Sequence, residues 1–266
     1  MIASRYDWGQ DPGASISGTG WATSINVLNR LPQYTTVASV GGTTTTLNLH
    51  LGAPQTIGLI HLQNLITDPG GTIEVVAGSY DSGLVSSWAS DANGTYDQHE
   101  YKALGRPRFF VPPVPVVADS VQVTINDANG NVTQVGYLGA CEIWQAPINM
   151  SYDWSITVID LGDVQRTPFG STFTVDRGKI RRFQFGVDFL LQPGIYGEGV
   201  TDQVFSTTLA NALIAGQTFP LAACMFPDDT ANLERTSVWG LSSNQQPFSN
   251  PFFATWNTSF QIDQRI

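Results

Sequence analysis

Val121-Gln122-Val123-Thr124-Ile125-Asn126-Asp127-Ala128-Asn129-Gly130 alternates apolar and polar side chains for six residues and then turns. Successive side chains of a strand point to opposite faces, so Val121, Val123 and Ile125 share a buried face while Gln122, Thr124 and Asn126 share a wet one. Asn129-Gly130 accepts the positive φ of a tight turn, and a hairpin is expected, with its return strand within residues 132–145.

The same period of two recurs outward from this stretch. Leu47, Leu49 and Leu51 face one way, Asn48 and His50 the other. Ile73, Val75 and Ala77 alternate with Thr72, Glu74 and Val76. The nearly continuous apolar run at 57–62 predicts a central strand covered on both faces. After Pro147 the alternation starts afresh. Ile156 and Val158 share a face, Phe173 and Val175 form a short one, and Phe183, Phe185, Val187 and Phe189 alternate with Arg182, Gln184, Gly186 and Asp188. Val238 and Trp239 sit in a further strand, and Phe252, Ala254, Trp256, Thr258, Phe260 and Ile262 line the last. One helix is expected over about 201–215, capped by Thr201, with Val204, Phe205, Leu209, Ala212 and Leu213 at helical spacing and Gly216 at its end. The region 79–115 has no clear period and closes on Val111-Pro112-Pro113-Val114-Pro115, so it is expected as a long loop.

These patterns predict an all-β protein of two β-sandwich or barrel-like domains. Residues 1–30 form an N-terminal segment, 31–147 the first sandwich, and 148–266 a β-rich second domain holding the one helix, with the join near 146–153. The two domains are expected to pack separately.

Composition narrows the function. The 266 residues are long enough to bury a core without a metal or disulfide. Charged residues make up 13%, and 12 basic against 22 acidic residues leave a net charge of −10, which repels nucleic acid. Lys102 and Lys179 are the lysines and Arg181-Arg182 the densest basic pair, so no polybasic membrane patch is present. No apolar run reaches the ~20 residues of a membrane helix. The start MIASRYDWGQ does not read as a secretory leader, so folding in a cytoplasm, or exit by a route other than the usual export signal, is expected. Cys141 and Cys224 lie in apolar strands and read as buried free thiols.

Chemistry is sparse. No G-x-S-x-G elbow, H-E-x-x-H, P-loop or dinucleotide fingerprint occurs, and no enzyme, cofactor or metal is expected. Of the three histidines, His50 alternates outward, His61 sits in an apolar strand and His99 is in the long loop. A metal between His50 and His61 is conceivable, but an ordinary structural role for each is the simpler account. Glu142 and Asp188 lie on strands and form a weak acid-pair candidate for glycoside hydrolysis. Asp91, Asn93 and Asp97 place oxygens at alternate positions, as calcium loops do, and Asp127, Asn129 and Asn131 do the same. Turn chemistry explains both sets without an ion. Tyr80, Trp88, Tyr96 and Tyr101 are candidate glycan or interface contacts, with packing or an interface the simpler use.

The order of features resembles siphophage tail-tip or baseplate proteins of the distal-tail kind. The first domain is similar to a galactose-binding-like jelly roll, on Thr46-Leu47-Asn48-Leu49-His50-Leu51, residues 56–65, Ser79-Tyr80-Asp81-Ser82 and residues 121–127. The join resembles theirs too. Val135-Gly136-Tyr137-Leu138-Gly139-Ala140 leads to Trp144-Gln145-Ala146-Pro147-Ile148-Asn149, with Tyr137 where that family commonly has arginine. Residues 217–229 and then Val238-Trp239-Gly240-Leu241 extend the likeness over about 40–266. The resemblance implies a virion structural subunit, assembled in the bacterial cytoplasm and placed at the tail tip. It implies a homo-oligomeric ring, a hexamer before a trimer, joining tail tube, hub and fibres, with host surface glycan as a further contact. It implies no membrane insertion, no nucleic-acid partner and no catalytic residues. The alternatives are a carbohydrate-binding adhesin module and a glycan hydrolase.

Overall fold

A computed structural model describes residues 2–7, 13–22, 37–68, 70–87, 90–91, 94–95, 106–145, 154–166, 169, 172–175, 179–190, 220–242, 249–252 and 255–264. Among them there is no helix, and the protein is all-β. The first strands are β1 (Ile2–Asp7), β2 (Ser15–Thr19), β3 (Val37–Ala38), β4 (Thr44–Ile57), β5 (Leu59–Leu65), β6 (Thr72–Ala77), β7 (Tyr80–Asp81) and β8 (Val85–Ser86). Next come β9 (Ser90–Asp91), β10 (Gly94–Thr95), β11 (Arg106–Phe110), β12 (Val116–Asn126), β13 (Gln134–Val135) and β14 (Tyr137–Gln145). The last are β15 (Ser155–Asp160), β16 (Asp163–Arg166), β17 (Thr172–Val175), β18 (Lys179–Leu190), β19 (Leu221–Cys224), β20 (Ser237–Ser242), β21 (Ser249–Phe252) and β22 (Thr255–Gln264). The helix expected at 201–215 lies outside the described residues.

A six-stranded sheet, β2-β4-β12-β6-β7 with β8 beside β6, packs against β11, β5 and β14 of a ten-stranded sheet. The alternation dictates the core between them. Leu47, Leu49 and Leu51, Ile73, Val75 and Ala77, and Val121, Val123 and Ile125 point inward and meet Ile60, Leu62, Leu138 and Ala140. β5 is buried on both faces, as its apolar run predicts. Its second face carries Leu59, which joins Phe109, Tyr137, Cys141, Ala222, Cys224, Leu233 and Trp239 in another core cluster.

Three features depart from the sequence reading. The turn at 127–130 forms, with Gly130 at φ +67°, but it does not close a hairpin. β12 already pairs with β4 on one side and β6 on the other, so the returning chain has no free edge there. It crosses to the other sheet and pairs with β5 and β1 as β14. Second, the region 79–115 contains the short strands β7, β8, β9 and β10 and a longer one, β11, which pairs with β5. Pro107 masks its alternation, and an edge position tolerates the missing N–H. Third, the ladder does not stop at the join. β1 pairs with β14 on one side and β19 on the other, so one sheet runs from β11 through to β15. The second core cluster likewise draws on both halves. This differs from the expected separate packing, because the N-terminal segment supplies the linking strand. The join itself, 146–153, lies outside the described residues.

Candidate functional site

The densest polar cluster lies within the core, where β1, β5 and β14 run side by side. Cross-strand registry builds it. Asp7 stands opposite Cys141, and His61 opposite Gly139. Opposed residues of an antiparallel pair share a face, so Asp7, Cys141, Gly139, His61 and, two residues from Gly139, Tyr137 all present to the same side. Gly139 is required there. A Cβ at that position would overlap Asp7 Oδ2 and His61 Nε2, so only glycine lets the two side chains meet above the backbone.

Asp7 is well solvated by protein. Tyr137 OH donates to its Oδ2 at 2.7 Å, and the Ala140 N–H donates to Oδ1 at 3.2 Å. His61 Nε2 lies 3.2 Å from Oδ2, with both side chains nearly inaccessible to water. Gln63 Nε2 is 3.0 Å from His61 Nδ1. A neutral imidazole protonated on Nε2 satisfies both contacts, taking the Gln63 N–H at Nδ1. Tyr137 and Trp239 stack at 5.2 Å, and Phe109, Tyr137 and Trp239 surround the imidazole at 5.7–6.1 Å. Buried polar groups survive only when paired, and this set is paired across three strands.

A second buried polar contact lies beside it. Arg108 Nη1 meets Glu234 Oε1 at 2.6 Å with both side chains at least nine-tenths buried. Arg181 Nη1 donates to the Glu234 backbone carbonyl at 2.8 Å, and its Nε donates to Gln264 Oε1 at 3.1 Å. Burial pushes the Glu234 carboxyl up from its ordinary value, and the Arg108 and Arg181 charges pull it back. Burial also pushes the Cys224 thiol up to about 11, which leaves it an inert thiol. Cys141 and Cys224 are both buried thiols outside any disulfide, as expected.

Of the residues singled out in the sequence, Tyr80 is half-buried on β7 and packs against the sandwich core. Its pKa is raised by burial and by Asp81. Trp88, Tyr96, Tyr101, Asn93, Asp97 and His99 lie outside the described residues. Asp91 on β9 pairs with Gly94 on β10. His50 is exposed, with Nε2 3.0 Å from Ser17 Oγ, and sits on the opposite sheet from His61, so the two do not meet. Glu142 on β14 and Asp188 on β18 are separated along the sheet by β1, β19, β20 and β22. At ~4.8 Å per strand that is about 24 Å along the sheet, well beyond an acid pair acting on one bond. At 127–131 both carboxylate oxygens of Asp127 accept backbone N–H groups. Asp127 Oδ1 accepts from Asn129 N–H and Oδ2 from Asp68 N–H, while the Asn129 and Asn131 amides donate to Asp68 Oδ2. These amides hold the Asp68 carboxyl below its ordinary value.

Sequence reading missed Asp7, Gly139, Arg108 and Glu234. Asp7 lies 54 residues from His61 and 130 from Tyr137, and no local spacing signals such a meeting.

No family model matches the chain, and no curated protein matches it. Solved structures do. A family 29 fucosidase of Ruminococcus gnavus in complex with fucose aligns at 14% identity and TM-score 0.36, over 52% of this chain and 27% of that one. The family 32 carbohydrate-binding module of C. perfringens NanJ, in complex with galactose, aligns at 15% identity and TM-score 0.37, over 53% of this chain and 99% of the module. A second family 32 module from Clostridium perfringens, in complex with GalNAc-β-1,3-galactose, aligns at 11% identity and TM-score 0.36, over 52% of this chain and all of the module. The chain thus covers about a quarter of the fucosidase. With TM-scores below 0.5, these likenesses carry no argument about ligand or activity.

Proposed function

We propose that the protein is a non-enzymatic structural subunit of a bacteriophage tail tip or baseplate, which repeats around the tail axis as a ring. One observation of the fold supports self-assembly most directly. β15 ends the ten-stranded sheet, and its outer edge carries no strand among the described residues. Trp154, Ile156, Val158 and Leu161 along it are 36–50% exposed. Soluble proteins guard such edges with lysine, proline or bulges. Here Asp160 is the one charge from Ser155 to Leu161, with no lysine and no proline. The β16–β17 hairpin follows directly, and Phe169 between its strands is 96% exposed. An unguarded apolar edge beside an exposed aromatic suits a contact with the next copy. Head-to-tail contacts that close on themselves make a ring. The phage setting rests on the sequence resemblance. The test is a tagged chain located on tailed particles by gold labelling. Label at the tail end away from the head is expected, and label on the head, or none, contradicts the proposal.

A carbohydrate-binding adhesin module is the second reading, and one feature favours it. The outward face of β2, β4 and β12 carries hydrogen-bonding groups, including Ser17, Thr19, Thr46, Asn48, His50 and Thr124. Such groups suit uncharged sugar hydroxyls. Retention on immobilised galactose, lost on His50→Ala, supports it, and passage straight through a panel of neutral sugars opposes it.

A further inference from the structure

The geometry points to a metal site. We infer that Asp7, His61 and Cys141 bind one zinc-class divalent ion, pinning the N-terminal strand to β14 and β5.

One ligand atom from each of these side chains lies within 4.8 Å of the others, and all three residues are buried. Zinc is bound at about 2.0–2.3 Å by imidazole, carboxylate and thiolate, which sets tetrahedral ligand atoms about 3.3–3.8 Å apart. The Asp7 Oδ2–His61 Nε2 separation of 3.2 Å already matches that spacing. Small side-chain rotations bring in the sulfur. The second oxygen of Asp7 can take the fourth position, while Tyr137 OH, 2.7 Å from Oδ2, orients the carboxylate.

Charge favours the ion as well. A divalent cation with one carboxylate, one thiolate and a neutral imidazole has no net charge, the condition under which a dry interior tolerates ions. The surroundings also suit a metal-bound imidazole. A histidine that binds through Nε2 must hold its Nδ1–H on an acceptor. Gln63 faces Nδ1 at 3.0 Å, and a turn of its amide presents the oxygen. Gly139 leaves open the space in which Asp7 and His61 meet. No spacing motif announces the set, because the ligands come from three strands distant in sequence.

The site is closed to solvent, so the ion must enter as the chain folds. The experiment therefore unfolds the full, tag-free chain in denaturant with chelator. It is then refolded by dialysis with zinc, with cobalt or with chelator alone. One equivalent of zinc per chain is expected by elemental analysis. Cobalt should give a near-ultraviolet thiolate charge-transfer band and visible bands of a tetrahedral site. Cys141→Ala should lose the thiolate band. Cys224→Ala should keep it, since Cys224 pairs with Ile2 at the far end of β1. Folded wild-type protein that retains no zinc or shows no thiolate band overturns the proposal, whatever the variants do. A thiolate band that survives Cys141→Ala overturns it equally.

Discussion

Gly139 permits the close approach of Asp7 and His61 in the central cluster. Its replacement by alanine puts a methyl group into Asp7 and His61, and overpacking of a buried site costs about 1–3 kcal/mol. The predicted outcome is a urea midpoint lowered by that free energy divided by the slope, with the slope unchanged; a wild-type midpoint would show that the two side chains do not meet there. Tyr137→Phe removes one donor from a buried carboxylate and should cost about 1–3 kcal/mol by the same measurement. At this scale the sequence was half legible. The inward leucines of β4 and valines of β12 were readable because alternation is local. His61 was readable as buried, but its partner was not, because Asp7 lies in a segment whose period is too short to place.

Between elements, the Arg108–Glu234 pair joins β11 to the turn before β20. Removing one partner leaves the other charge buried alone, so Arg108→Ala or Glu234→Ala should each cost about 3–5 kcal/mol. An Arg108→Met, Glu234→Leu double variant should cost much less than their sum in the same unfolding measurement. Additive losses would mean that the pair is not coupled. The pH dependence has a definite sign. Glu234 keeps its proton to higher pH when folded than when unfolded, so its contribution is full below the ordinary 4.5 and is lost as pH rises through the raised value. Glu234→Gln should remove that downward slope. The open edge gives another prediction. Val158 is 50% exposed, so Val158→Lys should change stability by less than about 0.5 kcal/mol while blocking incorporation into particles. Normal incorporation of the folded variant would remove β15 from the contact. The expected hairpin at 127–130 failed at this scale for a physical reason. A turn sequence specifies the bend but not the partner, and both edges of β12 were already taken.

For the whole molecule, strand content and the sandwich core were legible, because period two fixes which side chains are buried. The continuity of the large sheet was not. It depends on β1, six residues that lie between β14 and β19 and so join the two halves. An edge that carries no strand among the described residues suits a subunit finished by its neighbours, as the proposed ring requires. Imaging of the intact tailed particle at a resolution that traces strands tests this most directly. The account predicts a closed ring of this chain at the tail end, with β15 of each copy at the contact with the next. A chain located on the head, or present at the tail as isolated copies with β15 facing solvent, would contradict it.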